Sequence, residues 1–195
     1  MEIDAIKKKV LEDVDPETRR KKKKEMRIQR LIVTLQFLGI AAVVILIFYI
    51  LMGISTVDGN SMYPTLHDKD IVIYNRRCKE YKAGDIVAIA RPSGEDYVKR
   101  VIAVAGDMVN IQDGKVYVNG EEVRYDGEIG TTEKKSSKIT YPLRVGDKEV
   151  FVLGDNRNNS EDSRYADIGM VRKRYIVGKI WFTCSPFEKL GFTKG

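Results

Sequence analysis

The amino-acid sequence predicts a mainly β domain carried behind a single N-terminal transmembrane helix, and three observations predict it. A run of 22 residues, Leu31–Met52, holds no charge and only Thr34 and Gln36 as clearly polar members. Beyond it the chain breaks into short stretches rich in Val, Ile and Tyr, the composition of strands. Pairs of Gly, Asp and Asn separate those stretches, and these are turn formers. At 195 residues the length suits one globular domain plus an anchor, not two independent domains. The expected boundaries are a basic tail over 1–30, a span over 31–52 and a β-rich domain over 53–195.

The first 30 residues hold eleven Lys/Arg against seven Asp/Glu, and the remainder holds 23 against 21. The overall excess of +6 therefore sits largely in the tail, and an almost neutral folded part argues against a nucleic-acid partner. After an amphipathic stretch that ends at Val14, Asp15-Pro16-Glu17 reads as an N-cap, a first-turn Pro and a first-turn acid. A helix is expected to start there and run into the apolar segment. At about 1.5 Å per residue that segment is roughly 33 Å long, enough to cross a hydrocarbon core of about 30 Å. A buried core helix rarely needs such a run, and the apolar part of a cleaved secretory signal is usually about 7 to 15 residues, although Gly53 and Ser55 mimic a small-x-small cleavage site. Arg19–Arg30 carries eight cations and one Glu, while Gly53–Val57 carries no cation. That bias places the N-terminus in the cytoplasm, the basic run on anionic lipid and residues 53–195 outside the cell membrane.

Strands are expected at Ile71–Tyr74, Ile86–Ala90, Tyr97–Val104, Met108–Gln112, Lys115–Val118, Glu149–Leu153 and Ile176–Phe182. Asp113-Gly114 and Asn119-Gly120 have the composition of two-residue hairpin turns, so neighbouring strands run antiparallel. The polar stretch Tyr125–Arg144 reads as a long loop, and Ser160–Tyr165 as a short helical turn. Cys78 and Cys184 lie in the exported part, where oxidation is possible. They show neither a CxxC nor a metal-type spacing, so two thiols and one disulfide both remain open.

The chemistry is narrowed by a single histidine, His67. A zinc site built on several imidazoles is impossible, and a Ser-His-Asp triad would have to use this one ring. The HExxH and Walker A patterns are absent, no Ser has Lys three positions on, and Gly59-Asn60-Ser61-Met62-Tyr63 lacks the second Gly of a nucleophile elbow. Three clusters of polar and turn residues remain: Gly59–Leu66, Tyr97–Ile102 and Gly154–Arg164. Taken singly, Ser61 reads as a turn serine, Lys99 as a solvent-facing strand lysine and the third cluster as an Asx-rich loop.

Taken together and in this order behind an anchor, they resemble the type I signal peptidases, membrane serine proteases that remove signal peptides from exported proteins. The resemblance covers most of residues 31–195. It rests on Ser61-Met62 with Pro64-Thr65, on Gly84-Asp85-Ile86-Val87, and on Lys99-Arg100-Val101-Ile102 with Gly106-Asp107. It ends on Gly154-Asp155-Asn156-Arg157 with Ser160 and Asp162-Ser163-Arg164. One span with a short tail is similar to the forms of Gram-positive bacteria. The resemblance implies a partial-barrel Ser/Lys protease that needs no cofactor or metal and acts on preproteins at the membrane. It makes Ser61 the nucleophile, Lys99 the general base, Ser160 the hydroxyl that orients the lysine, and Asp162 and Arg164 a supporting ion pair. Val57, Met62, Leu66, Tyr97 and Val98 would line the pocket beside the cut bond, although plain core packing accounts for them equally well.

The physics agrees with a lysine base. Lys takes a proton only when neutral, so its ordinary pKa of about 10.4 must fall towards neutrality, a change of about 3 to 4 kcal/mol. Burial among Val98, Val101 and Ile102 acts in that direction. Two positions depart from the family pattern. Gly59 stands where many members place a Ser that serves the oxyanion hole, which leaves that role to the backbone N–H of Ser61 and leaves a second donor, another backbone N–H, open; Ala105 stands where Pro is common. An extended peptide laid between the strand leading to Ser61 and the one carrying Lys99 would turn alternate side chains inward, which suits cleavage after small residues. Three other readings stand beside this one: an anchored binding or scaffold protein without activity, a self-cleaving repressor protease, and a hydrolase that uses His67.

Overall fold

The computed structural model describes residues 3–7, 10, 16–90, 96–184 and 190–192. A helix, α1, runs without interruption from Pro16 to Leu51. It begins on the Pro-Glu pair expected of a first turn, while the expected cap, Asp15, lies outside the described residues. None of its side chains is buried. Thr34 meets its own polar need by donating from Oγ1 to the Arg30 carbonyl at 2.8 Å. Among the described residues it is the one helix long and apolar enough to cross a membrane. The helix stops one residue earlier than the apolar run, because Met52 already belongs to a strand.

The β-rich unit contains twelve described strands: β1 (Met52–Thr56), β2 (Ile71–Asn75), β3 (Ile86–Ile89), β4 (Tyr97–Val104), β5 (Met108–Gln112), β6 (Lys115–Val118), β7 (Glu121–Glu122), β8 (Leu143–Arg144), β9 (Glu149–Leu153), β10 (Val171–Arg172), β11 (Ile176–Cys184) and β12 (Leu190–Phe192). The larger sheet has the order β1-β2-β11-β3-β4-β9-β10, with β12 also on β11, and the smaller has the order β7-β6-β5-β8. Every strand pair is antiparallel. The hairpin turns expected at Asp113-Gly114 and Asn119-Gly120 have positive φ at all four residues, which matches the twist of the strands they join.

Alternation along the central strands sends side chains to different cores. In β3, Ile86 and Ala88 enter a first cluster with Val57, Met62, Leu66, Val72 and Val98. Val87 and Ile89 enter a second with Val101, Val150 and Val152. Phe151 and Leu153 of β9 join Ile102, Val109, Ile111 and Val116 in a third cluster, which packs the small sheet onto the large one. Because β3 and much of β4 are covered on both faces, they read as continuous apolar runs in which Lys99 and Arg100 are the exceptions.

The expected strand at Ile176–Phe182 extends to Cys184, and β1, β7, β8, β10 and β12 were not expected. Three of these five are only two residues long, too short for a period to register. No helix forms over 160–165, where turn and bend begin only at Asp162. Gly53, which mimics part of a cleavage site, lies where a Cβ would strike the Tyr74 ring, so a packing constraint accounts for it. Cys78 and Cys184 are both free thiols.

Candidate active site

Ser61 opens a tight turn over 61–65 that hangs from a closed neck. Val57 donates its N–H to the Asp70 carbonyl at 2.8 Å, and Lys69 donates to the Val57 carbonyl at 2.8 Å. Inside the neck, Gly59 donates its N–H to Asp68 Oδ1 at 2.8 Å, and that bond holds the Asp68 carboxyl below its usual range. Gly59 has φ +78°, a conformation that an L side chain adopts only with strain, and a Cβ there would meet nothing within 4 Å. Beneath the turn, Met62 and Leu66 are fully buried, and Leu66 donates its N–H to the Met62 carbonyl at 3.0 Å. The turn is anchored by two apolar side chains, and Ser61 faces the other way.

Lys99 comes to this turn from the middle of β4. It is 3% exposed, and its Nζ stands 2.7 Å from Ser61 Oγ and 3.0 Å from the Val98 carbonyl oxygen. The Tyr97 ring lies 5.3 Å from the same nitrogen. A lysine held this deep is exceptional, and removal from water disfavours its charged form.

The third cluster wraps around this pair. Ser160 lines the same cleft as Ser61 and Lys99, but its Oγ is buried without a hydrogen-bond partner. The expected hydrogen bond from Ser160 to the lysine is therefore not made here, where Nζ meets Ser61 Oγ and the Val98 carbonyl. Asp162 and Arg164 form a fully buried two-pronged pair, with Nε donating to Oδ1 at 2.7 Å and Nη2 to Oδ2 at 2.8 Å. Asp162 Oδ2 also accepts the Gly154 N–H at 3.1 Å. A Cβ on Gly154 would collide with the Ser61 carbonyl oxygen and with the Ser160 side chain, so the absence of a side chain lets these three residues meet.

Two further buried ion pairs were not read from the sequence. Arg100 grips Asp155 through Nε to Oδ1 at 2.8 Å and Nη2 to Oδ2 at 2.7 Å, and its Nη1 donates to the Gly84 carbonyl at 2.8 Å. Asp155 also accepts from Thr65 Oγ1 at 2.5 Å. Arg157 donates from Nη2 to Glu128 Oε2 at 2.7 Å, from Nη1 to Thr132 Oγ1 at 2.5 Å, and from Nε to the Gly154 carbonyl at 3.1 Å. Burial lowers the Arg157 pKa, and the Glu128 charge opposes that. Arg100 carried a usable signal, since an arginine in the apolar run 98–104 needs a buried anion. Glu128 carried none, because it stands in a polar stretch with no periodicity.

The cleft over Ser61 encloses about 870 Å³. It is lined by Thr56 to Ser61, by Asp96, Tyr97 and Lys99, and by Asn158 to Glu161. Of the five expected pocket residues, Val57 and Tyr97 line this cleft. Met62, Leu66 and Val98 are buried and pack with Val57 in the first core cluster. His67 stands outside the cleft with its ring edge-on to Tyr63, 5.2 Å between centroids, and its Nδ1 is 3.8 Å from Asp70. Among the described residues, no three His, Cys, Asp or Glu side chains gather as metal ligands would.

Residues 28–184 match the family model described as signal peptidase, peptidase S26. The chain belongs to this family. Signal peptidase I of Bacillus amyloliquefaciens is 37% identical over 148 residues, which cover 71% of this chain and 78% of that protein. Signal peptidase I S of Bacillus subtilis (strain 168) is 37% identical over 147 residues, covering 69% and 77%. A crystal structure of a signal peptidase I from Enterococcus faecalis V583 is 29% identical, with a TM-score of 0.42, covering 51% of this chain and 96% of that one. The signal peptidase match takes in all three clusters and their buried ion pairs.

Proposed function

We propose that this signal peptidase family member cuts signal peptides from exported preproteins with Ser61 as nucleophile and neutral Lys99 as general base. The observation that carries the reading is the 2.7 Å separation of Lys99 Nζ and Ser61 Oγ at the base of an open cleft. A neutral amine at that distance accepts the hydroxyl proton as Oγ attacks the carbonyl carbon, then returns it to the leaving amine. Water hydrolyses the resulting ester by the same base. Arginine-carboxylate pairs hold the surrounding backbone in place. Ser160, buried and unpartnered at its Oγ, takes the lysine's hydrogen bond when the bond to Ser61 is given up during attack.

The developing oxyanion needs a donor. With Gly59 offering no hydroxyl and its N–H engaged by Asp68, the Ser61 N–H takes that role. An extended substrate lies between residues 56–60 and 96–99 of this cleft and turns alternate side chains inward beside Val57 and Tyr97, an arrangement suited to small ones.

The test is processing of a preprotein by the full-length chain in membranes. Ser61→Ala and Lys99→Ala should each lower turnover on the order of 10⁴-fold or more with the fold retained; near-wild-type turnover by either sinks the assignment. For placement, we read residues 31–52 as a span, 1–30 as a cytoplasmic tail on anionic lipid and 53–195 as the external domain. Protease added to wall-stripped cells should then digest the β domain and spare the tail, and protection of the β domain would reverse the orientation.

A further inference from the structure

We infer that Glu128 is a positioning residue for Ser61, acting through Arg157 from a stretch that has the composition of a free loop. The inference rests on the Ser/Lys reading above. The line of contact begins at the carboxylate: Glu128 Oε2 accepts from Arg157 Nη2 at 2.7 Å, and the two side chains are 8% and 0% exposed. Thr132, four residues further on and 1% exposed, takes Nη1 of the same guanidinium at 2.5 Å. Between them, Ile129 pairs with the backbone of the site loop like a short strand. Its N–H donates to the Asp155 carbonyl at 2.9 Å, and its carbonyl accepts the Arg157 N–H at 2.9 Å.

The loop held in this way then holds the nucleophile. Asn156 donates its N–H to the Ser61 carbonyl at 3.0 Å and its side-chain amide to the Asn60 carbonyl at 3.1 Å. Arg157 also caps the Gly154 carbonyl at 3.1 Å, and Gly154 is the residue packed against Ser61 and Ser160. The Arg157 carbonyl accepts Arg164 Nη2 at 2.8 Å, which ties this clamp to the Asp162–Arg164 pair. Side-chain bonds from Glu128 and Thr132 thus hold the guanidinium on the outer side of a loop whose inner side meets the backbone of Ser61. Removing the carboxylate leaves a fully buried cation short of its anion, and such a cation draws in water or moves. Either response shifts the loop and, through Asn156, the nucleophile.

The experiment measures kcat and KM of the full chain in detergent on a preprotein substrate, well below the unfolding temperature of each variant. Glu128→Ala should lower kcat by about 10- to 100-fold, the scale of a nucleophile displaced by about an ångström, with KM changed little and the acid limb of the pH profile where wild type has it. Glu128→Gln, which keeps an acceptor, should recover part of the loss. The double variant Glu128→Leu with Arg157→Met removes both charges and should restore much of the thermal stability without restoring kcat. A wild-type kcat for Glu128→Ala, or kcat returning together with stability in the double variant, would overturn the inference and leave a purely structural pair. Ser61→Ala run alongside separates the two readings. If it retains activity the Ser/Lys assignment has failed, and if it is inactive while Glu128→Ala is fully active only the positioning role has failed.

Discussion

Lys99 and Ser61, 38 positions apart in the chain, meet with 2.7 Å between amine and hydroxyl, and the lysine reaches that point from within a strand buried on both faces. A side chain of this type is driven into such a place only by the fold around it. Burial of the amine and access for a peptide are obtained together, because the sheet covers the lysine stem while the cleft opens over the serine.

The pH dependence of kcat/KM follows. Only neutral Lys99 takes the Ser61 proton, so the rate should fall on the acid side with an apparent pKa well below the lysine's ordinary value of about 10.4, since burial disfavours the ammonium. Lys99→Arg should be inactive throughout, as a guanidinium stays protonated. An active Arg variant, or an acid limb near a carboxylate's ordinary value of about 4, would make another group the base.

Gly154→Ala places a methyl against the Ser61 carbonyl oxygen and the Ser160 side chain. Overpacking of this kind costs about 1 to 3 kcal/mol, and relief of the clash moves the nucleophile or Ser160. Thermal unfolding and kcat should fall together, kcat by more than about tenfold. Unchanged kcat in a destabilised protein would show that the loop yields away from Ser61.

His67→Ala should stay within a few-fold of wild-type activity, because the ring packs edge-on to Tyr63 outside the cleft. A loss of about 10³-fold, the scale of a missing general base, would return the imidazole to the mechanism.

Alkaline stability is set in part by two buried phenols. Burial, with added charge from Cys78 for one and from Asp162 for the other, pushes Tyr81 and Tyr141 up to about 12. Both are raised in the folded state relative to the unfolded value of about 10. The unfolded chain therefore releases these protons first, and the stabilisation present below pH 10 is lost as pH rises towards 12. Phenolate absorbance should show Tyr81 and Tyr141 titrating last of the ten tyrosines, with Tyr125, also raised by burial, later than an ordinary phenol, while denaturation midpoints fall over the same interval. Uniform titration of all ten near 10 would contradict that burial.

Much of this architecture was legible because strands covered on one or both faces advertise themselves by composition. β4, β5, β6 and β9 stand where Tyr97–Val104, Met108–Gln112, Lys115–Val118 and Glu149–Leu153 were expected, and both hairpins turn at their Asp-Gly and Asn-Gly pairs. The two-residue strands β7, β8 and β10 left no trace, since pairing alone, without apolar alternation, defines them. At the site, Ser61 and Lys99 could be singled out only by their motif company. Met62, Leu66 and Val98 show what local pattern leaves undecided, for an apolar side chain beside a nucleophile reads the same whether it faces substrate or core. Glu128 was illegible for a related reason: its partner lies 29 positions away, and nothing near it in the chain announces a buried anion.

The place of His67 offers a practical means of observing the turn. With one imidazole in 195 residues, the ring protons give a single, self-assigning set of NMR signals without isotope labelling. The residue stands two positions beyond the turn that carries Ser61, and its N–H is fastened at 2.9 Å to Asp70, whose carbonyl closes the neck on Val57. Ring currents from Tyr63 make those signals sensitive to small rotations of the turn. A spectator outside the cleft thus reports, in solution and without altering the reacting groups, whether peptide binding leaves the nucleophile's backbone where it was.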